Sequence, residues 1–155
     1  MTSPALSLYR FVARSEAVTW ALLIVGMVLK YGTKTTDLGV RIAGMLHGVV
    51  FIAFIVVTAA VWIDNRWSAK RGLLGMASAV PPFFTLLFEA NAEKHRAIAP
   101  RWRLAPSGEP QTVSSAPERA LAALLARPGI AVLVLVVLVA ALTAVALLVG
   151  PPASS

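Results

Sequence analysis

Between Ile130 and Val149 the chain is almost wholly Val, Leu and Ala, and Thr143 is its one polar side chain. An uncharged run of this length would span about 30 Å as a helix, the thickness of a bilayer's hydrocarbon core. Two further apolar blocks, residues 8–29 and 40–63, are as long. In lipid an open strand leaves its backbone donors unpaired, whereas a helix satisfies its own. The composition agrees: 58% of residues are hydrophobic and 14% charged, where a soluble domain carries about 25% charge. The expected fold class is an all-α membrane protein.

The first span, 8–29, exits at Lys30 and Tyr31, and a polar turn from Gly32 to Gly39 leads into the second, 40–63. Trp62 and Trp67 mark its far end as interfacial rings. A third span is expected over 72–88, broken or kinked at Pro81 and Pro82, since each proline removes a backbone donor. Broken backbone at membrane depth must be packed against protein, with a re-entrant segment as the alternative to a full crossing. These spans form a three-helix core over residues 1–97. Residues 98–128 read as a flexible Pro-rich linker. Within it Ser115 and Glu118 have capping-box spacing for a short interfacial helix to Arg127, with Leu121, Leu124 and Leu125 toward the membrane. Residues 129–150 form a fourth transmembrane helix. Arg10 and Arg14 before an apolar stretch resemble a signal-peptide start, but no small-x-small site follows, so this is read as a retained first helix.

Net charge is +7, with Lys and Arg gathered at the ends of apolar blocks, where they anchor helices at anionic headgroups. The lipid bilayer is therefore the first partner, and the expected location is the cell membrane, multi-pass. Nucleic acid is not expected, because no basic helix carries interleaved aromatics. There is no cysteine, which excludes disulfides, thiolate chemistry and cysteine-held metals. The two histidines, His47 and His95, do not form a ligand pair by position, so no metal or cofactor is expected. With four crossings, Arg10, Arg14, Arg66, Lys70 and Arg71 share one side. Lys30, Lys34, Arg41, Lys94, Arg96, Arg101, Arg103, Arg119 and Arg127 share the other. The positive-inside rule then places both termini outside.

Two ionisable groups fall inside spans and are candidate functional residues by default: Glu16 in the first and His47 in the second. The plainer reading of Glu16 is an interfacial position, and that of His47 a single interhelical hydrogen bond. Helix rise separates the two by about 9 Å, so a direct bond needs tilt or a water. Gly44 and Gly48 form a small-xxx-small pair that predicts close helix packing around His47. Lys30, Arg41 and Glu89 are expected at one surface, where a Glu89–Arg41 or Glu89–Lys30 pair would tie three helix ends. No phosphate loop, HExxH, Gly-x-Ser-x-Gly or paired catalytic carboxylates occur.

Residues 8–97 resemble the small bacterial membrane proteins of the domain of unknown function family 3817. The resemblance rests on Arg10-Phe11, Glu16, Leu29-Lys30-Tyr31, Val40-Arg41-Ile42-Ala43-Gly44, His47-Gly48-Val49-Val50-Phe51, Trp67-Ser68, Pro81, Phe84 and a charged residue at Glu89. Ala17 and Val28 depart mildly from the family pattern, and the linker and last span lie beyond it. The resemblance implies membrane class and the choice of Glu16, Lys30, Arg41, His47 and Pro81, and it implies no activity. Three functions compete: a non-catalytic accessory or scaffold subunit, completed by a homo-oligomer or a membrane partner; a small oligomeric transporter or channel using Glu16 and His47; and, last, a membrane enzyme.

Overall fold

Local chemistry sets where each apolar block begins and ends. A computed structural model describes residues 4–107 and 112–149. These form α1 (Pro4–Met27), a π-helical turn (Val28–Gly32), α2 (Leu38–Asp64), α3 (Ala69–Ala77), α4 (Phe84–Lys94), α5 (Ala116–Leu125) and α6 (Pro128–Val149), with no strand among the described residues. Residues 108–111 of the expected linker, and Gly150 at the end of the expected last span, lie outside them. Three helices are long and apolar enough to cross a membrane: α1 with its π turn, α2 and α6.

The α1–α2 connection is tight. The Thr33 N–H donates to the Val28 carbonyl and the Thr35 N–H to that of Leu29, both at 3.0 Å. The two threonine hydroxyls also donate to the Leu29 carbonyl, at 3.1 and 3.2 Å. Below this turn the helix backbones touch at Gly26, where a β-carbon would stand 2.8 Å from the Gly39 carbonyl carbon and the Val40 nitrogen. The expected close contact at Gly44 and Gly48 is not there. Gly44 has ordinary room beside Leu23, and nothing lies within 4 Å of a β-carbon on Gly48. Close packing depends on which residues the turn brings level, and this turn selects Gly26.

Residues 72–88 do not cross as one span. They divide between α3 and α4, whose rises are about 14 and 17 Å, half the bilayer core. α3 runs back along α2: Gly72 lies beneath the Trp62 indole, and Gly75 packs on Thr58 and Phe88. Ser78 to Phe83, containing Pro81 and Pro82, then reverses the chain, with Phe83 left-handed at φ 66°. α4 returns along α1, with Thr85 at Glu16 and Glu89 at Arg10. By Ala97 the chain is back at its entry level, where the Trp67 indole N–H donates to the Ala97 carbonyl at 2.6 Å. This is a re-entrant hairpin. Its broken tip is satisfied by protein, since the Trp20 indole N–H donates to the Ala79 carbonyl at 3.3 Å and so covers an acceptor that lipid would leave bare.

The reversal changes the sidedness expected for every later residue. The linker returns to the end that holds the N-terminus of α1, together with Arg66, Lys70, Arg71, Lys94, Arg96, Arg101, Arg103, Arg119 and Arg127. Lys30, Lys34 and Arg41 remain alone at the other end. α6 leaves the crowded end, packing Val134, Leu135 and Leu138 near Val56 and Ala60 of α2. The ends of the described chain therefore lie on opposite sides, and an orientation argued from four full crossings no longer stands.

The linker is not a free tether over its described residues. Ile98 and Leu104 are buried, and Trp102 packs on the core. Two helices end toward it in the same way. The Trp67 and Arg66 N–H groups return to the Trp62 and Ile63 carbonyls after α2, and those of Ala97 and Arg96 return to Ala92 and Glu93 after α4. Both are Schellman ends, with an arginine where glycine is usual, at φ 50° for Arg66 and 49° for Arg96. Trp67, expected at the interface, is only 8% exposed. It sits in the core, edge-on to Tyr9 at 6.4 Å and to Phe88 at 5.8 Å. Leu121, Leu124 and Leu125 of α5 line a crevice with α2 and α6. α6 has no buried residue.

Candidate functional site

Where the hairpin tip meets α1 and α2, the two intramembrane candidates are both near α1 but do not touch. The Glu16 carboxyl is fully sealed. Its Oε2 accepts from the Thr85 hydroxyl at 2.8 Å, and the same hydroxyl lies 3.2 Å from the Ala13 carbonyl. One proton thus faces two acceptors. Glu16 Oε1 has no hydrogen-bond partner among the described residues. His47 approaches from α2, with Nδ1 3.1 Å from the Thr19 hydroxyl, and its ring lies 4.5 Å from that of Trp20. Thr19 also donates to the Glu16 carbonyl at 2.9 Å. The link between the candidates runs through Thr19 and the backbone, while their side chains face different helices.

Glu89 is not with Lys30 or Arg41. Because α4 runs back toward the N-terminal end, Glu89 arrives beside Arg10, whose Nε donates to its Oε1 at 3.0 Å. Arg10 also pairs with Glu93. At the far end the Lys30 ammonium lies 5.2 Å from the centre of the Tyr31 ring, and Arg41 has no ion pair among the described residues. No group of three His, Asp or Glu placed to hold a metal occurs among them either.

The densest polar constellation is one the sequence reading passed over. A carboxylate in the last turn of a helix opposes the helix dipole, so Asp64 at the end of α2 needs donors to stay there. It has them. Its two carboxylate oxygens accept the Arg103 and Leu104 N–H groups, each at 3.0 Å. Asn65 accepts the Ala99 N–H at 2.7 Å. Glu118 then closes the linker onto α2, bonding Arg66 and Arg103 at 2.6 Å each. Ser115 caps α5 as expected. The Glu118 carboxylate, however, takes the Ser114 N–H at 2.7 Å and hydroxyl at 2.9 Å in place of the usual capping-box return. Arg66 first, then the Ser114 N–H and hydroxyl and Arg103, hold the Glu118 carboxyl well below the usual carboxylate range. The same pairing raises Arg66. With its oxygens filled, this cluster is a clamp between α2, the linker and α5 and offers no reactive group. The unused sign in the sequence was Asp64 itself.

The profile of a domain of unknown function, DUF3817, matches residues 6–94. A membrane protein of Streptomyces coelicolor, SCO5905, is 45% identical over 94 residues, covering 60% of this chain but only 11% of its own length. The uncharacterized membrane protein YdzA of Bacillus subtilis is 31% identical over 75 residues, 48% of this chain and 77% of its own. No solved structure matches the chain. The hairpin and the two helices it packs against fill the matched segment, and the chain belongs to the DUF3817 family of membrane proteins, whose function is unassigned.

Proposed function

We propose that the protein is an accessory or scaffold subunit of the cell membrane, without catalysis of its own, that works beside a larger membrane protein. The observation that carries this reading is the S. coelicolor relative, in which the matched segment is 11% of a much longer membrane polypeptide. A module that is a small part of a longer chain in S. coelicolor and 77% of YdzA in B. subtilis is suited to act as a larger chain's companion. The polar groups inside this chain support the reading, since Arg10, Glu89, Glu93, Thr19 and His47 are engaged with one another across helices. In this reading the N-terminal end, the hairpin mouth and the linker face the cytoplasm, the side that the positive-inside rule favours for the end carrying most of the cations.

One observation favours a second reading, a small oligomeric transporter or channel: the ionisable Glu16 carboxyl is sealed inside a span with no cation beside it among the described residues, a placement that marks proton and ion paths in membranes. Purification of the tagged full chain from native membrane in mild detergent separates the two. A defined complex with a larger membrane protein is expected. A homo-oligomer that carries protons or cations in proteoliposomes, with flux abolished in a stable Glu16→Gln variant, would overturn the accessory reading.

A further inference from the structure

The outer face of the re-entrant hairpin holds a cavity of about 630 Å³ between α3 and α4. It is layered. Lys70 and Arg71 stand at its mouth with Ser68 and Asn91, and below them lie Leu74, Ala77, Phe84 and Leu87. The mouth is electropositive for two reasons. Neither cation has an ion-pair partner among the described residues, and α3 begins there, capped by Ser68, with the positive end of its dipole outward. Leu74, Phe84 and Leu87 are each at least half exposed, at 54%, 51% and 63%.

Depth decides what fits. From Ser68 to the reversal at Ser78 the slot descends about 15 Å by helix rise, half of a core about 30 Å thick and hence one leaflet. A ligand with an anionic head at the surface and an apolar tail one leaflet long complements both layers. We propose that this slot is a binding site for an anionic phospholipid. The phosphate is held between Lys70, Arg71 and the start of α3, and one acyl chain lies along Leu74, Phe84 and Leu87. The site is independent of the accessory role, since it uses no residue on the α1–α2 face. It also differs from general attraction to an anionic surface, because the head must sit above an apolar slot that only a re-entrant hairpin leaves open.

The test is native mass spectrometry of the full chain, with titration of dioleoyl-phosphatidylglycerol or dioleoyl-phosphatidylcholine in detergent. The anionic phosphatidylglycerol is expected to bind roughly tenfold or more tightly than the zwitterionic phosphatidylcholine, from two cations near the headgroup. Lys70→Gln with Arg71→Gln should remove that preference. Lys30→Gln with Lys34→Gln, at the opposite end, should leave it intact. Leu87→Trp, filling the slot at an exposed position with both cations kept, should also remove it, with thermal unfolding checked to be unchanged. Equal binding of the two lipids would overturn the site. So would a preference that survives both the double charge variant and the filled slot, or displacement of the lipid by an equal concentration of inorganic phosphate.

Discussion

Arg10 and Glu89 are seventy-nine residues apart in sequence, and their side chains meet at 3.0 Å. This pair, with Glu93 beside it, fastens the returning arm of the hairpin to the first helix. Because Glu89 is nearly sealed, removing Arg10 leaves its carboxylate buried without its cation. Arg10→Gln and Glu89→Gln should each lower the thermal midpoint in detergent by on the order of 5 °C, and the double variant by less than their sum. A double-mutant cycle measures this, and strict additivity would show that the contact does not couple α1 to α4.

Gly26 and Gly48 make opposite predictions for the same substitution. At Gly26 a methyl group meets Gly39 backbone, which cannot move aside without separating α1 from α2. Gly26→Ala should cost about 1–3 kcal/mol through lost packing along the seam. Gly48→Ala adds its methyl to open space and should be neutral or gain up to about 1 kcal/mol from helix propensity. Denaturation of the two variants side by side decides the matter, and equal stability would contradict the Gly26 contact.

The Glu118 clamp has a defined pH window. Its carboxyl is depressed in the folded chain, so its contribution is fully present above the ordinary value, about 4.3, and is lost as pH falls toward the depressed one. Since the chain has no cysteine, a single spin label at Ser107→Cys reports on the linker alone. The label should stay immobile through pH 5 and loosen only in stronger acid, whereas Glu118→Gln should loosen it at every pH. A linker that frees itself near pH 6 in the parent would refute the clamp.

Glu16 offers an unusual outcome. Thr85 keeps the Ala13 carbonyl as an acceptor when the carboxyl is removed, and the Trp20 indole keeps that of Ala79. Glu16→Leu should therefore be neutral or stabilising by about 1 kcal/mol, because the buried polar group it replaces is only half satisfied. A loss above about 2 kcal/mol in thermal or denaturant unfolding would show instead that the carboxyl holds the tip in place.

The apolar blocks announce α1, α2 and α6, and Pro81-Pro82 announces the break between α3 and α4. What composition does not contain is direction. Seventeen largely apolar residues, two of them prolines, suit a bent crossing as well as a hairpin, and contacts distant in sequence, Arg10 with Glu89 and Trp67 with Ala97, decide between them. Gly44 and Gly48 have the spacing of a helix contact, yet Gly26 and Gly39 stand at equal distances from the centre of the Val28–Asp37 turn, which brings them level. The linker's spaced prolines, Pro100, Pro106 and Pro110, argue against a core of its own, but Ile98, Trp102 and Leu104 suffice to seat it once Asp64 supplies the acceptors. For the candidate site, Glu16 and His47 were legible as ionisable groups inside spans. Their partners Thr85 and Thr19 were not, since a threonine in an apolar block carries no mark of what it faces.

The re-entrant hairpin has a consequence for how the matched segment, residues 6–94, can be used in other chains. Two crossings and a return bring the polypeptide back out on the side where it entered. Spliced into a longer membrane protein, such a segment is topologically neutral: every helix after it keeps the orientation it had without it. A three-span version would invert everything downstream, and gene fusion at that point would have been far more constrained.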